Sequence, residues 1–193
     1  SVDAIEGLDG DDSIDGAAGD DLLYGGAGKD LLIGGSGNDV INGGAGLDRS
    51  VYTGASAGIT VALAAGTVTG GDSGTDTLVS VELIRGTDHV DSFDATGFTY
   101  NSANGGADQG TFNEFEGVGG DDLVIGNGNT RLSFNNALAG VTADASIGTA
   151  QSTDANDAAG VGIDTFSGVN SLRGSNFDDR LLGSSNPSGT TES

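Results

Sequence analysis

The sequence predicts an all-β protein: a parallel β-roll (β-solenoid) whose coils stack on one another, continued by degenerate repeats with hairpin or elongated-rung excursions. Three observations carry this expectation. Five consecutive nine-residue units hold Gly, Asp and a large aliphatic residue in fixed places, short alternating strand signals separate later glycine turns, and no amphipathic helix of useful length is present.

The units begin at Gly7, Gly16, Gly25, Gly34 and Gly43 and read GLDGDDSID, GAAGDDLLY, GGAGKDLLI, GGSGNDVIN and GGAGLDRSV. Gly holds positions one and four, and Asp holds position six (Asp12, Asp21, Asp30, Asp39, Asp48). Position eight is Ile14, Leu23, Leu32 and Ile41, with only Ser50 departing. Nine residues fit a six-residue glycine turn followed by a three-residue strand. Two such units make one coil, so turn n lies over turn n+2 at the ~4.8 Å spacing of paired strands. Period-two alternation then points the position-eight aliphatics inward and Ser13, Asp15, Tyr24 and Asn42 outward.

The turn chemistry follows from the residue types. Glycines permit positive φ and close backbone approach, so turn carbonyls can be aimed at a cation, and the position-six Asp adds an anionic oxygen. A hard cation taking 6–8 oxygens is satisfied only when a second turn closes the cage, which suits Ca2+ better than the smaller, octahedral, reluctantly dehydrated Mg2+. One inward aliphatic per nine residues is too thin a core to offset the ordering cost of the chain, so several bound ions are expected to supply the difference.

Composition agrees. The chain carries 29 Asp+Glu against 6 Lys+Arg, a formal charge of −23, with 37 Gly, one Pro and 5% aromatic residues, close to a disordered composition without a counter-ion. Such acidity argues against nucleic acid or an anionic membrane as a direct partner. There is no Cys and no apolar run long enough to cross a bilayer, so membrane insertion by this chain is not expected. The opening residues, Val2 to Glu6, read as the end of an earlier unit, which marks the chain as a piece of a longer repeat protein.

After the regular block, residues 1–51, the period loosens. Register returns at Gly71 to Val79, Gly86 to Asp94, Gly117 to Ile125 and Gly174 to Leu182, placing Asp76, Asp91, Asp122 and Asp179 at position six. A larger duplication relates Asp76-Thr77-Leu78, Val81, Arg85-Gly86 and Asp91 to Asp164-Thr165-Phe166, Val169, Arg173-Gly174 and Asp179. Upstream, Ala57 to Thr60 and Gly66-Thr67 match Ala139 to Thr142 and Gly148-Thr149. Ile59, Val61 and Leu63, then Gly66 and Val68, read as a hairpin or elongated rung, and 77–84 and 165–172 read as strands. These signals divide the chain into 1–51, a degenerate unit 52–126, its second copy 127–183, and a disordered tail 184–193, with surface loops at 104–110 and 151–160.

The Gly-Asp nonapeptides of residues 3–51, and their looser echoes over 71–94, 117–125 and 159–182, resemble those of RTX proteins, secreted proteins of Gram-negative bacteria. The resemblance implies a calcium-binding parallel β-roll, exported through a type I secretion channel and folded by the high calcium outside the cell. It implies as ligands Asp3, Asp12, Asp21, Asp30, Asp39 and Asp48 with backbone oxygens around Gly10, Gly19, Gly28, Gly37 and Gly46, and by register Asp76, Asp91, Asp122, Asp164 and Asp179.

Other chemistries fit less well. His89 sits at position four of a degenerate turn with no Cys to pair with, HExxH is absent, and zinc lacks ligands, so no enzyme is expected. The pairs Asp11-Asp12, Asp20-Asp21, Asp121-Asp122 and Asp178-Asp179 occupy positions five and six, where calcium binding explains them without glycoside chemistry. Glu82, Glu114 and Glu116 fall outside the turns and read as solvated strand residues. The expected function is therefore a calcium-binding, monomeric structural module of a secreted or cell-surface protein. The alternative is an accessory or adhesive module that touches extracellular polysaccharide or a cell surface through calcium.

Overall fold

The protein is described by a computed structural model covering residues 1–105 and 110–184. Residues 106–109 of the expected loop and 185–193 of the expected tail lie outside the described residues. Among the described residues, seventeen strands are joined by ladder hydrogen bonds. The regular block forms β1 (Ala4–Asp9), β2 (Ser13–Asp15), β3 (Leu22–Gly28), β4 (Leu31–Ile33), β5 (Val40–Gly46) and β6 (Arg49–Val51). All of them pair in parallel at a spacing of two units: Ile5 lies opposite Leu23 and Leu23 opposite Ile41, while Ile14 lies opposite Leu32 and Leu32 opposite Ser50. Side chains two units apart therefore stack in columns, and Leu23, Leu32 and Ile41 form a fully buried line between the two ladders.

Beyond Tyr52 the chain makes β7 (Thr60–Ala62), a 3-10 turn at Leu63–Ala65, β8 (Thr67–Thr69), β9 (Thr75–Val79), β10 (Leu83–Arg85), β11 (Ser92–Asp94) and β12 (Asn113–Glu116). It ends with β13 (Leu123–Ser133), β14 (Val141–Asp144), β15 (Thr149–Ser152), β16 (Ile163–Arg173) and β17 (Arg180–Leu182). The predicted hairpin is the antiparallel pair β7–β8, and β8 also runs antiparallel to β9, which stacks in parallel on β5. One excursion thus closes the β1–β3–β5–β9 ladder and seeds a new parallel one, β7–β11–β13. The duplication noted in the sequence repeats the manoeuvre. The β14–β15 hairpin leans on β16 and seeds β14–β17, with Leu78 N–H donating to Gly66 O in the first copy and Phe166 N–H to Gly148 O in the second.

The later coils have a thicker core than the array because aromatics enter it: Phe93 and Phe115 stack with ring centroids 4.8 Å apart. They also carry an ion-pair ladder that corrects the expectation for the glutamates. Glu82, Glu114 and Glu116 are buried, not solvated. Glu114 accepts from Arg49 Nη2 at 2.8 Å and from Arg131 Nε, and Glu116 accepts from Arg85 Nε at 2.9 Å. Half of the chain's six cationic side chains hold two carboxylates across four stacked strands, β6, β10, β12 and β13. Among the described residues no helix is long and apolar enough to cross a membrane.

Candidate metal centre

Each position-six Asp is placed by the ladder above and below it. Its Oδ1 accepts the backbone N–H of the Asp one coil earlier: Asp3 donates to Asp21 at 2.7 Å, Asp12 to Asp30 at 2.9 Å, Asp21 to Asp39 at 2.8 Å and Asp30 to Asp48 at 2.9 Å. The series continues through the irregular part, with Asp39 donating to Asp76 at 3.0 Å, Asp91 to Asp122 at 2.8 Å and Asp122 to Asp164 at 3.0 Å. The other oxygen is different. Oδ2 of Asp12, Asp21, Asp30, Asp39, Asp48, Asp76 and Asp122 is buried without a hydrogen-bond partner.

These orphan oxygens face a cradle of backbone. A Cβ added at Gly7 would lie 2.6 Å from Asp12 Oδ2 and 2.5 Å from the Gly25 carbonyl oxygen of the next coil. At Gly16 the corresponding distances are 2.9 Å to Asp21 Oδ2 and 2.8 Å to the Gly34 oxygen. Position one must therefore be bare. Position four needs glycine for another reason: Gly10, Gly19, Gly28, Gly37 and Gly46 all adopt φ between +127° and +147°. Among the described residues no three His, Cys, Asp or Glu side chains converge, so any metal site here is built from carbonyls with carboxylate oxygens from stacked turns.

Burial weighs against the charged form in several of the stacked carboxylates. Burial raises Asp39 and pushes Asp48 up to about 6, Asp76 and Asp164 up to about 7, and Asp122 up to about 9, against the partial relief of one backbone N–H each. A buried carboxylate oxygen lacking a donor, close to the backbone oxygen of the next turn, costs free energy unless a cation is supplied. An all-oxygen set of this kind is that of a hard divalent cation, and the residues fit calcium.

The family described as RTX calcium-binding nonapeptide repeat (4 copies) matches residues 2–32 and 24–49. The N-terminal array is an RTX calcium-binding repeat block. A comparison of the whole chain with curated proteins finds no match. In the folded RTX block the position-six carboxylates and turn carbonyls would hold calcium, which would supply the positive charge that the orphan Oδ2 atoms lack.

Within and beyond the RTX block, the predicted ligands fall into distinct environments. Asp3 is exposed and Asp12 half-buried at the first coil, while Asp21, Asp30, Asp39 and Asp48 are buried in the stack. Asp76 stacks on Asp39 in the place of the next-coil Asp, yet Tyr52, eighteen residues beyond Gly34, stands where position one of that coil falls. The phenol is buried beside Asp76 and Ser50, and burial first, the Asp76 carboxylate second, raise it well above its usual value. Asp91 and Asp179 hold the predicted register but have both oxygens bonded, as described below. His89 is exposed, its amide N–H on Thr87 Oγ1.

Two parts of the site escaped the sequence reading. The position-five residues point the other way: Asp11 Oδ1 accepts the Lys29 amide at 2.8 Å, Asp20 the Asn38 amide at 2.9 Å and Asp121 the Ile163 amide at 2.9 Å. An Asp-Asp pair is thus a two-way staple, position five holding the following coil and position six the preceding one. Glu82 is the second omission. Its Oε2 accepts the Asp48 N–H at 3.1 Å, the role of a position-six Asp, on a turn shortened to Ser80, Val81 and Glu82. Counting back from Gly86 puts Glu82 at position six, a signal hidden by counting forward from Gly71. Counting back from Gly117 likewise finds Asn113, whose Oδ1 accepts from Thr130 Oγ1 at 2.8 Å, so this column of turns passes from carboxylates to neutral groups.

Proposed function

We propose that this chain is a non-catalytic, calcium-gated folding module of a larger RTX protein that works outside the cell. The observation that carries this reading is the run of buried Asp Oδ2 atoms with no partner, repeated coil after coil over glycine cradles. In a calcium-poor cytosol the thin core and the charge of −23 leave the array unfolded, a state suited to passage through a type I secretion channel. Outside, ion binding is folding free energy, because the unfolded chain offers no preformed cage. Far-UV circular dichroism of the monomeric chain in millimolar calcium and in chelator tests it. Calcium is expected to produce a large gain in strand signal, and superimposable spectra refute the gating.

A further inference from the structure

The turns after the array share the position-six Asp but not all of its chemistry: Asp76, with Asp72 at position two, keeps an orphan Oδ2 without positive φ there, whereas at Asp91 and Asp179 a hydroxyl residue at position two changes the site. In the turns of Asp12, Asp21, Asp30, Asp39, Asp48 and Asp122, position two is Leu8, Ala17, Gly26, Gly35, Gly44 and Val118. Every one of these six residues has positive φ, from +67° at Ala17 to +114° at Gly26, and every one of the six Asp has an orphan Oδ2. For Leu8, Ala17 and Val118 that conformation costs an L-residue free energy, so the turn is held in it against local preference.

At Asp91 and Asp179, position two is Thr87 and Ser175, neither of them among the residues with positive φ. With φ on the ordinary side, the position-two amide turns inward. Thr87 N–H donates to Asp91 Oδ2 at 2.7 Å and Thr87 Oγ1 to Asp91 Oδ1 at 2.9 Å, while Oδ1 also accepts the Ile59 amide at 2.7 Å. Ser175 repeats this on Asp179: N–H to Oδ2 at 2.8 Å, Oγ to Oδ1 at 2.6 Å, with the Val141 amide on Oδ1 at 2.9 Å. Both oxygens of each carboxylate are thus engaged by protein donors at charge-assisted hydrogen-bond length, where the array leaves Oδ2 bare.

We propose that a hydroxyl residue at position two takes a turn out of the calcium set: the hydroxyl and amide of Thr87 and Ser175 occupy the coordination places of Asp91 and Asp179, making these two turns metal-independent, and Thr87→Gly turns the first into a calcium site. This rests on the calcium reading above and goes beyond it by assigning which Asp residues are ligands and which are not.

Calcium bound per chain, measured by equilibrium dialysis on the full chain, tests it. Asp30→Asn should bind at least one ion fewer than wild type. Asp91→Asn and Asp179→Asn should bind the wild-type number, and Thr87→Gly should bind one more. A loss at Asp91→Asn equal to that at Asp30→Asn overturns the proposal. Because Asp91→Asn also removes an acceptor from the Thr87 amide, Ser175→Gly is the second variant: it leaves Asp179 in place and should bind one ion more than wild type, and a wild-type count there and in Thr87→Gly overturns the proposal. If wild type binds no calcium at all, the calcium reading itself fails; if wild type binds calcium and Asp30→Asn and Asp91→Asn lose the same number of ions, only this assignment fails.

Discussion

Asp30 separates the two jobs of a position-six carboxylate. Oδ1 holds the Asp12 amide at 2.9 Å, and the buried Oδ2 has no donor. Asp30→Asn keeps the Oδ1 acceptor and replaces Oδ2 by an NH2 that faces carbonyl oxygens, so it removes the cation site and spares the coil-to-coil bond. Asp30→Ala removes both and strands the Asp12 amide, an added cost of about 1–3 kcal/mol. A bound ion contributes RT ln(1 + [Ca]/Kd), so each ion taken up on folding raises stability by about 1.4 kcal/mol per decade of free calcium. Urea unfolding, followed by circular dichroism at a series of saturating calcium concentrations, should give three lines of stability against log calcium. The Asn and Ala lines should be parallel, each shallower than wild type by at least that one-ion slope, with Ala displaced below Asn by about 1–3 kcal/mol. A wild-type slope in Asp30→Asn refutes Oδ2 as a metal ligand. Coincident Asn and Ala lines refute the stapling role of Oδ1.

Three further outcomes follow from the same geometry. Gly25→Ala sets a Cβ 2.5 Å from the Gly43 carbonyl oxygen, and calorimetric titration should show at least one ion lost with a destabilisation of about 1–3 kcal/mol. Glu114→Gln uncouples Arg49 and Arg131; since both guanidinium groups are partly solvated, the cost is about 1–3 kcal/mol, less than for a fully buried pair, and the calcium slope should stay at the wild-type value in the same urea series. Acidity acts through Asp48, Asp76 and Asp164, whose carboxyls rise to about 6, 7 and 7 in the calcium-free fold. A raised carboxyl means that the fold holds protons the unfolded chain has released, so the metal-free fold is best supported below the unfolded value of 3.8 and loses that support as pH climbs through 6 to 7. Calcium must displace those protons. Its apparent affinity should therefore fall about tenfold or more between pH 8 and pH 6, with proton release on binding detectable by calorimetry in buffers of different ionisation enthalpy; an affinity constant over that range contradicts the assignment.

The array was readable in the sequence because turn and strand together take nine residues, so one period writes out coil, column and core at once. The hairpin after Ile59 and its copy after Val141 were also readable, since alternation and Gly66 or Gly148 are local signals. What escaped depended on partners far along the chain. Glu114 reads as a solvated strand residue until Arg49, 65 residues earlier, is brought beside it. Glu82 serves Asp48 across 34 residues instead of eighteen because the β7–β8 excursion lengthens that coil, setting Asp76 37 residues beyond Asp39, and the turn before Glu82 has then lost three. At Asp91 and Asp179 the register is that of the array, and what sets their carboxylates apart, the inward amide and hydroxyl of Thr87 and Ser175, depends on backbone geometry that the one-letter pattern does not carry.

The direction of the Asp staples has a further consequence. The buried amides of Asp21, Asp30, Asp39, Asp48, Asp91 and Asp122 are each satisfied by a carboxylate one coil nearer the C-terminus, whereas the position-five amides of Lys29, Asn38 and Ile163, satisfied from the N-terminal side, are exposed, where water can replace the lost acceptor. Cutting coils from the front takes the donor from each buried Oδ1, an acceptor; cutting them from the back takes the acceptor from a dry amide, a donor. The two faces of the stack are in consequence chemically unlike: its leading face presents carboxylate oxygens and its trailing face presents amides, so an added rung fits each end in one orientation only.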